Sequence, residues 1–184
     1  MNIAIIDIET TGFSHTKNFI VEIGIVELNL LTGTTKIVFD SLVKEVGITK
    51  DDLESSWIVE NGYIKTDDVL KAPSFDTLKE KIQYVINSYP NGATAYNNKF
   101  DFGFLESRDI KISFKLDCPM ILATDICKLP NKNGYSNYKF PKVEEAYKYL
   151  FPDSEYIELH RGADDAMHEA KIVHELYNMG VFKV

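Results

Sequence analysis

The chain carries two cysteines in 184 residues, and neither Cys118 nor Cys127 has histidine or cysteine neighbours at zinc-ligand spacing. A thiolate zinc site is excluded, and reduced, structural thiols are expected. No apolar run approaches the roughly twenty residues of a membrane-spanning helix. The start lacks the basic segment and small-residue cleavage site of a secretory signal, so a cytoplasmic protein with no membrane partner is expected. Positive charge is scarce as well: 20 Lys and Arg stand against 28 Asp and Glu, a net charge of −8. That balance excludes a broad basic face that tracks a duplex by neutralising many phosphates. It leaves open a pocket for a few phosphates around bound cations, whose charge would reverse the local field. There is no internal repeat and no low-complexity tract.

A length of 184 residues with 45% hydrophobic content suits one packed domain over 1–184. Residues 3–8 are apolar on both faces, as in a central strand. The β-branched stretches 19–30 and 34–43, joined by Leu31-Thr32-Gly33, complete an antiparallel meander. Residues 44–73 are polar and irregular, and short helices with a mobile loop are expected there. Phe75, Leu78, Ile82, Val85 and Ile86 recur at helical spacing between a capping Ser74 and Pro90. A short strand follows at 93–96, a helix at 100–110, a strand or helix at 120–129 and a flexible loop at 131–137. Helices at 142–150 and 163–179 close the chain. This order predicts an α/β fold whose mixed central sheet is flanked by helices.

Asp7 and Glu9 stand out, because successive strand side chains alternate and these two carboxylates share one face of a strand that is otherwise buried. An unpaired charge there would be costly, and a metal ion is the natural partner. Gly12 lets the backbone turn close to whatever sits at the strand end; read alone, the run 7–12 also has a lesser reading as only a polar strand terminus with a turn. Asp101 shares a helical face with Phe104 and Leu105, which suits either a site or a helix N-terminus. In the third acidic segment helix geometry chooses between neighbours: Asp165 aligns with Ile172 and Leu176, whereas Asp164 aligns with Lys171 and Glu175. His160 precedes that helix, close enough to share a site with Asp165. His15, His168 and His174 lack such pairing. Four carboxylates with a histidine, in the order D-x-E, D, H-x4-D, favour two Mg²⁺ or Mn²⁺ ions. Such a pair serves in-line phosphoryl displacement, and His160 is suited to take a proton from the attacking water.

These segments resemble the DEDDh family of 3′-to-5′ exonucleases, which includes the proofreading subunit of bacterial DNA polymerase III, RNase T and oligoribonuclease. The motifs are Asp7-Ile8-Glu9-Thr10-Thr11-Gly12, Asn97 to Phe100-Asp101, and His160 to Asp165-Ala166. Arg161 stands where the tyrosine variant of the superfamily would carry its Tyr. Ile20-Val21-Glu22-Ile23-Gly24 and Ala72-Pro73-Ser74-Phe75 extend the likeness. The resemblance implies an RNase H-like fold in which Asp7, Glu9, Asp101 and Asp165 hold the metals and His160 is the general base. Thr10, Thr11, Gly12, Phe13, Asn97 and Phe100 would bind the 3′-terminal nucleotide. It implies release of nucleoside 5′-monophosphates from single-stranded DNA or frayed 3′ ends. RNA is the alternative substrate, a DNA polymerase or other replication protein a possible partner, and a non-catalytic module the remaining reading. Tyr96, where many relatives have His, and Gly162-Ala163, in place of the commoner Ala-Leu, are departures that bear on substrate fit. Lys128, Lys132, Lys139, Lys142 and Lys148 are scattered too widely to predict a binding track.

Overall fold

Strand β1 (Asn2–Thr10) runs between two neighbours and is covered on both faces, which is why its sequence is apolar without alternation. The computed structural model of the chain describes residues 1–131, 137–154 and 156–184. On one side β1 pairs antiparallel with β2 (Ile20–Asn29), which pairs antiparallel with β3 (Thr35–Leu42). On the other it pairs parallel with the two-residue β4 (Ala93–Thr94). The order β3-β2-β1-β4 is the mixed sheet that the pattern predicts. A register shift between Glu9 and Thr10 ends the β1–β2 ladder beside the acidic motif.

The segment expected to hold short helices and a loop has three short helices, α1 (Lys50–Glu54), α2 (Trp57–Glu60) and α3 (Thr66–Lys71), joined by turns. Thr49 and Asp52 cap α1 reciprocally. Ile48, Leu53, Ile58, Ile64 and Val69 bury themselves against Val21 of β2 in a satellite core. These apolar residues are spaced too irregularly for one long helix, so their pattern is hidden among the acidic pairs.

Helix α4 (Phe75–Asn87) starts at Ser74, whose hydroxyl accepts the Thr77 N–H at 3.2 Å. With α5 (Asn98–Glu106) it covers the sheet face lined by Ala4, Ile6 and Ile8. α5 stops four residues short of its expected end, where Asp109 takes a left-handed φ of 61°. Residues expected as strand or helix form α6 (Pro119–Cys127), with Pro119 in its first turn. α6, α7 (Val143–Leu150) and α8 (Gly162–Asn178) cover the opposite face over Ile3, Ile5, Val26 and Leu28. The loop expected at 131–137, with Lys132, lies outside the described residues apart from its two ends. Cys118 and Cys127 are free thiols. Among the described residues no helix is long and apolar enough to cross a membrane.

Candidate active site

The site forms where β1 outruns its short partner. β4 pairs only with Ala4 and Ile5, so the remaining N–H groups on that edge need other acceptors. Asp101, in the first turn of α5, accepts from the Ile8 backbone and is 4% exposed. It therefore docks the helix against the strand, and Asn97 occupies the cap position without a side-chain cap bond. Burial pushes the Asp101 carboxyl up to about 8, against the pull of backbone hydrogen bonds from Asp101 itself, Ile8 and Asn97.

Asp7 and Glu9 project from the β1 face that carries Ile3 and Ile5, towards α8. Burial, then the charges of Glu169, Glu9, Asp101 and Asp165, raise the Asp7 pKa well above the usual carboxylate range. Its Oδ2 is buried and, among the described residues, has no hydrogen-bond partner. Glu9 is pushed up to about 9 by burial and then by the charges of Asp165, Glu22, Glu158 and Asp101.

Asp165, in the first turn of α8, is 2% exposed, whereas the Asp164 side chain is 41% exposed. Its Oδ1 accepts from the Tyr156 hydroxyl at 2.9 Å and its Oδ2 from the Arg161 N–H at 2.8 Å. Burial raises its pKa, with those two hydrogen bonds opposing. Arg161 also grips the buried Glu22 of β2, Nη2 to Oε1 at 2.7 Å and Nε to Oε2 at 3.0 Å. Beneath this pair two glycines touch. A Cβ on Gly24 would lie 2.1 Å from the Gly162 carbonyl carbon, so only glycine there lets the start of α8 reach the sheet. Gly162, a departure from the common pattern, makes the reciprocal approach, its Cβ position being 2.7 Å from the Gly24 nitrogen.

His160 has a left-handed φ of 52°. One of its ring nitrogens, a Glu9 carboxylate oxygen and an Asp165 carboxylate oxygen all lie within 4.8 Å of one another. Burial lowers the His160 pKa, opposed by the charges of Asp165 and Glu144. The imidazole is thereby kept neutral near pH 7, with a lone pair able to accept a proton.

Asp7, Glu9, Asp101 and His160 line a cleft of ≈ 620 Å³, with Asp165 set behind its wall beside Glu9 and His160. All six residues expected to bind a terminal nucleotide, Thr10, Thr11, Gly12, Phe13, Asn97 and Phe100, line it. Phe13 is 93% exposed at the lip, its ring 6.4 Å from that of Phe100. Thr10 Oγ1 donates to Gly12 O at 2.7 Å, and Thr11 exchanges hydrogen bonds with the Phe19 backbone, which fixes the turn.

Several contributors escape sequence reasoning. Glu169, 3% exposed, faces the cleft and accepts the Tyr96 N–H at 3.3 Å. It lies one turn beyond Asp165 on the stripe that selects Ile172 and Leu176, so the same helical stepping finds it. Burial, then the charge of Asp101, raises its pKa well above the usual value. Of the scattered lysines Lys142 reaches the cleft, and Glu158, pushed up to about 7 chiefly by burial, Trp57, Met120 and Phe140 also line it. They come from segments without an acidic motif, and no local signal marks them.

An orphaned buried oxygen on Asp7, ringed by carboxylates that raise one another's pKa, fits hard divalent cations bound through oxygen. Among solved structures, cell-death related nuclease 4 (CRN-4) superposes with a TM-score of 0.69 at 16% identity, over 97% of this chain and 64% of that one. The nuclease domain of 3′hExo, a DEDDh family member bound to rAMP, gives 0.63 at 19% identity, over 100% of this chain and 96% of that one. E. coli exonuclease I in complex with a dA16 oligonucleotide gives 0.68 at 11% identity, over 96% of this chain and 41% of that one. At these identities the likeness is one of fold. This chain spans less than two thirds of CRN-4 and of exonuclease I. No curated protein sequence matches significantly. The RNase T exonuclease family model matches residues 4–173, a span that contains every acidic motif and His160. The chain therefore belongs to that exonuclease family, and it has the RNase H-like fold.

Proposed function

We propose that the protein is a metal-dependent 3′-to-5′ exonuclease that removes nucleotides from single-stranded or frayed 3′ ends, DNA foremost, as nucleoside 5′-monophosphates. The observation that carries this reading is the unpartnered, buried Asp7 Oδ2 at the centre of the carboxylate set, on the floor of a cleft with aromatic rings at its mouth. Asp7, Glu9, Asp101 and Asp165 would hold two Mg²⁺ or Mn²⁺ ions, which when bound supply charge that stabilises the entering and leaving oxygens of an in-line displacement.

The chain's own residues do the rest. Phe13 and Phe100 receive the terminal base, and the turn at 10–12 brings backbone close to its sugar. His160 accepts a proton from the attacking water at a ring nitrogen. The water oxygen bonds to phosphorus, the bond from phosphorus to the 3′ oxygen breaks, and that oxygen takes a proton from solvent. The histidine returns its proton to solvent for the next cycle.

RNA is the second reading, because the fold neighbours named with ligands carry both sugars, rAMP in one and dA16 in another. Digestion of matched 5′-labelled DNA and RNA oligonucleotides, with and without Mg²⁺, tests the proposal, with Asp7→Ala as the control for contaminating nuclease. Stepwise shortening from the 3′ end that the variant lacks is expected, and the faster substrate decides the sugar. No shortening of either would leave a non-catalytic binding module.

A further inference from the structure

We propose that α2 and the turn after it form an aromatic clamp, in which Trp57 and Tyr63 position His160 and Trp57 also presents a stacking surface for a nucleotide base. This rests on the exonuclease reading and assigns part of the site to a region with no acidic motif.

The backbone alone does not explain how His160 is held. It lies in a stretch, 151–161, whose described residues form neither helix nor strand, and its φ of 52° is uncommon for a residue with a Cβ. Among the described residues no hydrogen bond reaches its ring, and the Glu158 carboxylate stands 3.9 Å from Nδ1. Two aromatic rings do reach it. Tyr63 meets it at 4.4 Å between centroids with planes at 72°, and Trp57 at 4.8 Å and 88°. Such edge-to-face contacts have a preferred geometry and therefore orient what they touch. The clamp is itself braced, because Trp57 and Tyr63 stack at 5.2 Å. Ile58 and Ile64, beside them in sequence, are buried in the satellite core against Val21 of β2.

Trp57 has a second surface. It lines the cleft and remains 53% exposed, whereas Tyr63 is not part of the cleft wall. A half-exposed indole at the mouth of a cleft that also holds Phe13 and Phe100 is a platform on which any base can stack. The two rings therefore separate in kinetics: Tyr63 acts on the histidine alone, while Trp57 acts on the histidine and on binding.

The test compares Tyr63→Ala, Trp57→Ala and Trp57→Phe with wild type on the oligonucleotide that wild type cleaves best. Tyr63→Ala is expected to lower kcat about tenfold with little change in KM, a positioning loss. Trp57→Ala is expected to lower kcat similarly and to raise KM several-fold, and Trp57→Phe to restore most of both. Trp57→Leu, which keeps bulk but removes the ring, replaces the alanine variant if that variant melts early. Kinetics of both ring-removing variants within about twofold of wild type would overturn the inference. Trp57 is the only tryptophan, so its emission reports the clamp independently of turnover. A phosphorothioate-blocked single strand should change that emission, and His160→Ala should change it without the strand; no change in either case would also overturn the inference. If wild type cleaves nothing while both emission changes occur, the exonuclease reading fails and the clamp stands.

Discussion

Asp7, Glu9 and Asp101 hang from the ends of regular elements, whereas His160 hangs from a stretch with neither helix nor strand. The carboxylate side is tied by backbone ladders and by polar anchors. At the far end of α5, Arg108 bonds Glu45 at 3.1 Å and donates to the carbonyls of His15 and Asn18, which ties down the loop after β1. The histidine side is tied by ring contacts on one flank and, one residue on, by the Arg161–Glu22 pair. Under the proposed function the difference would suit two separate tasks. Metal ligands must stay within a few tenths of an ångström to keep a coordination shell, while a base need only reach its proton in the occupied site.

Removing a carboxylate breaks the comparison most severely. Asp7→Ala or Asp165→Ala is expected to reduce turnover by about 10³-fold or more and to abolish stabilisation by Mg²⁺ in thermal melts. Asp164→Asn should leave both nearly intact, and equal losses at 164 and 165 would refute the assignment of faces on α8.

His160→Ala should cost about 10²-fold in kcat, the scale of a general base, while Mg²⁺ still raises the melting temperature. If that stabilisation disappears with the ring, the histidine is a metal ligand and the two sides of the site are not distinct.

Gly24→Ala sharpens the comparison on stability, because its new Cβ meets backbone that cannot rotate away. Overpacking of this kind costs about 2 kcal/mol, which should lower the melting temperature by about 5 °C. The start of α8 carries Asp165, so weaker Mg²⁺ binding, read by calorimetry, should accompany the loss.

A further expected effect is on pH. Asp101 and Glu9 titrate at about 8 and about 9 in the folded chain, against ordinary values of 3.8 and 4.5. Between those limits the folded state binds more protons than the unfolded, so the stability of metal-free protein falls as pH rises through that window. Melting temperatures in EDTA should decline steadily from pH 5 to 9, and under the proposed function Mg²⁺, by binding the ionised carboxylates, should flatten the decline. A flat profile in EDTA would show that these carboxyls are not buried as described.

The strand motif, the meander and the long helices are legible in the chain because each carries a local signal: a continuous apolar run in β1, β-branched stretches around a turn in β2 and β3, and a period of 3.6 in α4 and α8. The boundaries that moved have local causes as well: α5 ends at a left-handed turn before Asp109, and α1 to α3 hide their apolar residues among acidic ones. Glu169 was within reach of the same helical stepping that separates Asp165 from Asp164.

Spacing and residue type determined that Asp7 and Glu9 share a face and that Asp165 rather than Asp164 turns inward, and the three motifs carry the resemblance to an exonuclease family. Only the tertiary structure decided that Trp57 and Tyr63 reach His160 across about a hundred positions of chain, that Glu22 and Arg161 pair, and that Gly24 and Gly162 touch. The reason is physical: a period records which way a side chain points within its own element, whereas a contact between distant segments depends on how whole elements pack, which no local window contains.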